Sequence, residues 1–160
     1  MSKPQFAYVT YIATTPGKLW EALTSAEFTR QYWGRDWPDR GMHRSLVSDW
    51  QPGAEIKMLM QDGETEFYGE VLEADPPRRL SYTFKFMMGD VEAGSRVTFD
   101  LEPNGSIVKL SLLHEDFSPE SVADHFIAGI SNGWPAILSC MKSLLETGKP
   151  LDLTKTKMDA

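Results

Sequence analysis

His43, His114 and His125 are the chain's only imidazoles, and Cys140 is its only thiol. No two histidines stand four apart on a helix or in a His-Glu-x-x-His pattern, and Cys140 has no second cysteine. The spacing therefore offers no zinc set and no disulfide. His114 falls on the apolar-facing register of a strand, where a hydrogen-bonded histidine at the rim of the core is expected. Imidazole titrates near neutral pH, so His114 is also the chain's best acid–base candidate. Glu64 and Glu66 flank a hairpin, and Asp36 and Asp39 share a loop. Carboxylates in turns are ordinarily solvated, so no paired-carboxylate catalysis is expected of them. His114-Glu115-Asp116 is dense in charge, yet strand alternation sends neighbours to opposite faces. No P-loop, glycine-rich phosphate loop or Gly-x-Ser-x-Gly elbow occurs. These features weigh against an enzyme, and no catalytic residue, metal or cofactor is expected.

The aromatic and methionine residues form a more informative set. Tyr82, Phe84, Phe86 and Phe99 fall on one face of successive strands, with Met58 nearby. Phe126, Ile130 and Trp134 fall on one stripe of a late helix. Packed together with His114 they make either plain core or the wall of a cavity. Large rings and flexible thioethers suit an apolar ligand, and a strongly curved sheet is not completely filled by one helix. These nine residues are the candidate ligand-cavity residues.

The elements that must position them are legible in order. Phe6 to Ala13 is aromatic and β-branched and predicts a first strand. Thr15-Pro16 predicts an N-cap followed by proline at the first helical position, with Leu19, Trp20 and Leu23 at helical spacing. Ser25 is the expected cap of a second short helix through Phe28, Tyr32 and Trp33, ended by Gly34. Residues 35–43 are turn-rich. From Arg44 the apolar period changes to two, through Ile56, Met58 and Met60 to a hairpin turn at Asp62-Gly63. Phe67 to Ala74 returns, and Pro76-Pro77 interrupts the ladder because neither residue donates a backbone hydrogen bond. Leu80, Tyr82, Phe84 and Phe86 form the cleanest half-buried strand. Val97, Phe99 and Leu101 precede Asn104-Gly105, a strong hairpin signal, and Val108, Leu110, Leu112 and His114 complete the pair. Ser118-Pro119 opens a last helix whose stripe runs Val122, Phe126, Ile130, Trp134, Leu138, Met141, Leu145. It stops at Gly148-Lys149-Pro150. At ~1.5 Å per residue it is roughly 40 Å long, enough to cross a sheet. Gly129, Gly133 and Pro135 predict a kink or a close approach in its middle.

A sheet with one apolar face needs a cover, and only the last helix is long enough to supply it. The expected fold is therefore α+β. A curved antiparallel sheet wraps on a long C-terminal helix, with two short helices after the first strand. With 160 residues one domain is expected, over 1–150, with residues 151–160 as a frayed tail. Sixteen basic against 23 acidic residues give a net charge of −7, which argues against a nucleic-acid partner. No apolar run is long enough for a membrane span, and no export signal is recognisable at the start. A lone cysteine fits a reducing compartment, so a cytoplasmic location is expected.

Several short segments stand in a specific order and spacing. They begin with Thr15-Pro16 with Leu19-Trp20 and Leu23-Thr24, Trp33-Gly34, and Trp50-Gln51-Pro52-Gly53. Gly69-Glu70-Val71-Leu72-Glu73 and Pro76-Pro77-Arg78-Arg79-Leu80 follow. Gly133-Trp134-Pro135-Ala136-Ile137-Leu138 and Leu144-Leu145-Glu146-Thr147-Gly148 complete the set. Together they resemble the START-like (SRPBCC) superfamily, with its helix-grip fold, over about residues 6–148. More narrowly, the chain is similar to the activators of the large heat-shock chaperone's ATPase. The resemblance implies the helix-grip fold and, commonly, a cavity between sheet and helix, but no shared catalytic motif, because the superfamily hosts several chemistries. The leading functional expectation is a module that binds a small hydrophobic or aromatic molecule. A co-chaperone-like protein-interaction module is the alternative, and a cyclase- or hydrolase-type enzyme the third.

Overall fold

Ten elements follow one another along the chain. They are β1 (Phe6–Ile12), α1 (Pro16–Thr24), α2 (Ala26–Tyr32), β2 (Ser45–Ser48), β3 (Glu55–Leu59) and β4 (Thr65–Asp75), then β5 (Arg79–Met88), β6 (Val91–Asn104), β7 (Ile107–Glu115) and α3 (Asp124–Thr147). The computed structural model describes residues 5–33, 44–88, 90–118 and 124–151, without the side chains of 88, 91 and 124–132. The expected loop at 35–43, the opening of the last helix at 119–123 and the tail at 152–160 lie outside the described residues.

Local chemistry accounts for most element ends. The Thr15 hydroxyl accepts from the Lys18 N–H at 3.2 Å, and Pro16 sits where a missing N–H costs nothing. Ser25 occupies the cap position of α2 but its hydroxyl makes no capping bond; its own N–H instead closes α1 on the Glu21 carbonyl at 2.8 Å. Gly63 (φ 89°) and Gly105 (φ 65°) supply the left-handed conformations that the β3–β4 and β6–β7 turns need.

The seven strands make one antiparallel sheet in the order β1-β7-β6-β5-β4-β3-β2. β6 begins five residues before the alternation that starts at Arg96. Its first half is written in small residues, with Ala93 and Ser95 buried and Glu92 exposed, so the period is present but not apolar. β4 carries two irregularities. Met58 pairs with Phe67 and Leu59 with Thr65, which leaves Glu66 as an extra residue. Val71 pairs with Tyr82 and Glu73 with Ser81, which leaves Leu72 extra in the same way. Such bulges bend a strand and re-aim the extra side chain. Between them lies Gly69, where a Cβ would stand 1.9 Å from the Thr83 carbonyl oxygen, so only glycine fits.

The inner face of the sheet is apolar and meets the helices. Leu80, Tyr82, Val97, Phe99, Leu110 and Leu112 from the strands pack with Leu19 and Leu23 of α1 and with Trp134, Leu138 and Met141 of α3 in one buried cluster. The last helix thus covers the sheet with Trp134, Leu138 and Met141 of its stripe; Val122 and the side chains of Phe126 and Ile130 lie outside the described residues. Of the residues expected to bring a kink or a close approach, Pro135 lies inside the helix, and a Cβ on Gly133 would meet no atom of the described residues within 4 Å. Near its C-terminal end α3 is fastened to the sheet edge. The Lys142 ammonium donates to the Tyr11 carbonyl at 2.8 Å, and a Glu146 carboxylate oxygen accepts from the Ala13 N–H at 2.8 Å. Lys142 and Glu146 also pair with each other at 2.6 Å. The contacts satisfy backbone groups that an edge strand otherwise leaves open.

Candidate functional site

His114 lies on the inner face near the end of β7, with none of its surface exposed. Strand β7 fixes it through its pairing with Val97 on β6 and Phe6 on β1. The indole Nε1 of Trp134, which can only donate, lies 3.0 Å from His114 Nδ1. Nδ1 is therefore the acceptor, and the ring's proton sits on Nε2. His114 Nε2 lies 2.6 Å from Ser95 Oγ and donates to it, and Ser95 in turn donates to the Phe84 carbonyl at 3.3 Å. The chain of hydrogen bonds runs from Trp134 through His114 and Ser95 to the accepting Phe84 carbonyl, and every polar atom of the imidazole is used. Burial pushes the imidazole pKa down to about 3, because an imidazolium loses its water there. A histidine held neutral with both nitrogens engaged is a structural hub. The sequence expectation of a satisfied histidine holds, though in the core itself and not at its rim.

The candidate aromatic residues are brought together around this hub. Phe84 lies 5.2 Å from the imidazole and stacks on Phe67 at 4.0 Å. Trp134 meets Phe99 edge-on at 5.8 Å, and Phe99 lies 6.1 Å from Tyr82. Met58 is buried on β3 and Phe86 is half-buried on β5. Phe126 and Ile130 lie on α3, and their side chains, with that of His125, fall outside the described residues, as do His43, Asp36 and Asp39 altogether.

Three participants were not singled out from sequence. Trp33 caps α2 and meets Trp134 at 5.3 Å and Phe67 at 6.1 Å. Phe117 stacks on the imidazole at 4.8 Å. It does so because Asp116 takes a left-handed turn (φ 56°) just past the end of β7. The third is Arg44, fully buried and paired to Glu66 through Nε–Oε1 at 3.2 Å and Nη2–Oε2 at 3.3 Å. This corrects the expectation that Glu66 is a solvated turn carboxylate: it is the extra residue of the first bulge, and the bulge turns it onto the arginine. A charged residue opening an alternating stretch, with an acidic residue across the following hairpin, was the available signal.

Solvent reaches the site unevenly. Where α3 ends, Leu138, Met141 and Leu144 are 1%, 0% and 7% exposed. Toward the other end of the sheet the inner-face rings Phe84, Phe86 and Phe117 are only half-buried. Among the described residues, no group of histidine, cysteine and carboxylate side chains is placed to hold a metal ion. Nor is any helix long and apolar enough to cross a membrane.

A curved antiparallel sheet closed over a C-terminal helix, with an aromatic layer between them, defines a START-like helix-grip domain. The family model described as activator of Hsp90 ATPase homolog 1-like protein matches residues 13–146. The chain belongs to that family. No curated protein sequence matches it. Among solved structures it resembles the Aha1 dimer from Colwellia psychrerythraea (TM-score 0.71, 20% identity, 91% of this chain and 98% of that one). It also resembles protein MLL2253 from Mesorhizobium loti (TM-score 0.70, 23% identity, 89% and 96%). A third is PFC0360w, an HSP90 activator from Plasmodium falciparum (TM-score 0.66, 20% identity, 88% and 95%). At these identities the likeness carries the fold.

Proposed function

We propose that this domain binds a small, mostly apolar or aromatic molecule between the sheet and α3 and performs no chemistry on it. The observation that carries the reading is the uneven closure of the aromatic layer. The C-terminal half of α3 is sealed against the sheet, whereas Phe84, Phe86 and Phe117 are half-buried. Half-buried rings packed on an apolar layer favour an apolar guest. The His114 hub supports binding over catalysis, because a neutral imidazole with both nitrogens bonded neither takes nor gives a proton. The buried lone Cys140 is in keeping with a reducing, cytoplasmic setting.

A thermal-shift screen of fatty acids, flavonoids and small aromatic metabolites tests the reading. A guest bound at a hundredfold excess over its Kd stabilises the fold by ~2.7 kcal/mol. Phe84→Trp, which adds bulk where the layer is half-buried, is expected to abolish such a shift while keeping the fold. A silent screen, or a hit that survives Phe84→Trp, overturns it. The family's description supports a second reading, a co-chaperone-like module that acts through its surface. Stimulation of a purified Hsp90-type ATPase by this domain, unaltered in Phe84→Trp, would favour that one.

A further inference from the structure

The outer face of the sheet holds a cleft of about 240 Å³ whose lining comes entirely from strands β4 to β7. Its floor is the cross-strand pair Ser81 and Thr98, whose hydroxyls bond each other at 3.0 Å. These two face away from the helices, yet they are only 6% and 5% exposed. The long side chains around them cast the shade. Arg79 on one side bonds both Glu73 (3.3 Å) and Asp100 (3.2 Å). Arg96 on the other bonds both Glu115 (3.2 Å) and Asp116 (3.0 Å). Each guanidinium stands between two carboxylates, of which Asp116 lies just past β7 and outside the lining, and so each cluster keeps one negative charge in excess. The two ends are aliphatic. Leu113 pairs with Thr98 on the floor, and Leu72, the extra residue of the second bulge, is pushed out to 44% exposure.

We infer that this cleft is a docking site for a basic, extended segment of a protein partner. The site is separate from the inner layer and does not depend on the ligand proposed for it. Three features choose that occupant. The volume lies below the range of drug-sized pockets and suits one or two inserted side chains. Aliphatic ends beside acidic walls match a lysine or arginine, whose methylene stem packs on leucine while its head meets carboxylate. The chain's net charge of −7 draws basic partners over a longer range.

The test is a ¹H–¹⁵N titration of the intact chain with three probes: the peptide acetyl-Ala-Lys-Leu-Lys-Ala-amide, its Glu-for-Lys counterpart, and spermidine. The basic peptide is expected to shift the amides of Ser81, Thr98 and Leu113, and to do so less as salt rises. Glu73→Gln with Glu115→Gln, which removes the excess charge, is expected to weaken it about tenfold at an unchanged melting temperature. Should that pair fail to fold, Leu113→Lys, a cation placed at the cleft's half-buried end, is expected to weaken it likewise. The inference is overturned if the acidic peptide binds equally well. Shifts elsewhere on the surface, or no shift at about 1 mM basic peptide, overturn it too. So does spermidine binding as tightly as the peptide, since that would make the site one for free amines.

Discussion

Replacing His114 by glutamine tests the hub directly, because a glutamine amide can accept from Trp134 and donate to Ser95 but cannot titrate. In the native chain the imidazole pKa is held at about 3, against an unfolded value near 6.5. A histidine whose folded pKa is depressed contributes stability that is present above the unfolded pKa. That stability is lost as pH falls, since the unfolded state takes up a proton that the native state refuses. The window opens near pH 6.5 and closes near pH 3. From pH 7 to pH 5 the unfolded imidazole becomes almost fully charged while the native one stays neutral. This costs the native chain about 2 kcal/mol that the His114→Gln variant does not lose. Urea titrations of both proteins at pH 7, 6 and 5, followed by tryptophan fluorescence, measure the difference. The carboxylates, His43 and His125 are common to both and cancel. If the two proteins lose the same stability between pH 7 and pH 5, the neutral buried hub is refuted.

Three further outcomes follow from packing and pairing. Gly69→Ala is expected to destabilise the fold by about 2–3 kcal/mol, because its Cβ would overlap the Thr83 carbonyl; an unchanged denaturation midpoint would disprove the close approach. Glu66→Ala is expected to cost about 2 kcal/mol by removing a carboxylate that accepts two bonds from the buried Arg44. Urea denaturation beside the native chain measures the loss, and an unchanged midpoint would disprove the pairing. Glu146→Ala removes the acceptor of the Ala13 N–H, so amide exchange at Ala13 is expected to quicken while exchange in the β5–β6 centre is unaltered.

Much of the fold was legible because its signals are local. Thr15-Pro16, Asp62-Gly63, Asn104-Gly105 and the alternation of Leu80 to Phe86 each act within a few residues, and each stands where its chemistry puts it. The alternation failed at Val91 to Ser95, where small side chains carry the period without hydrophobicity. It also could not reveal the bulges at Glu66 and Leu72. A bulge is a relation between two strands, and neither strand alone records which residue will be left over.

The sequence by itself determined the architecture: one apolar sheet face, one helix long enough to cover it, and an aromatic layer between them. Tertiary structure decided what the polar residues do. His114 reads as an acid–base candidate until Trp134 and Ser95, 20 and 19 positions away, take both of its nitrogens. Glu66 reads as solvated until the bulge swings it 22 positions back onto Arg44. The outer cleft exists only because four strands set two arginines on either side of a serine–threonine pair. The physical reason is common to all three. Hydrophobic burial follows the period of the chain and is non-directional, whereas hydrogen bonds and ion pairs need particular atoms about 3 Å apart, and only the assembled sheet brings them there.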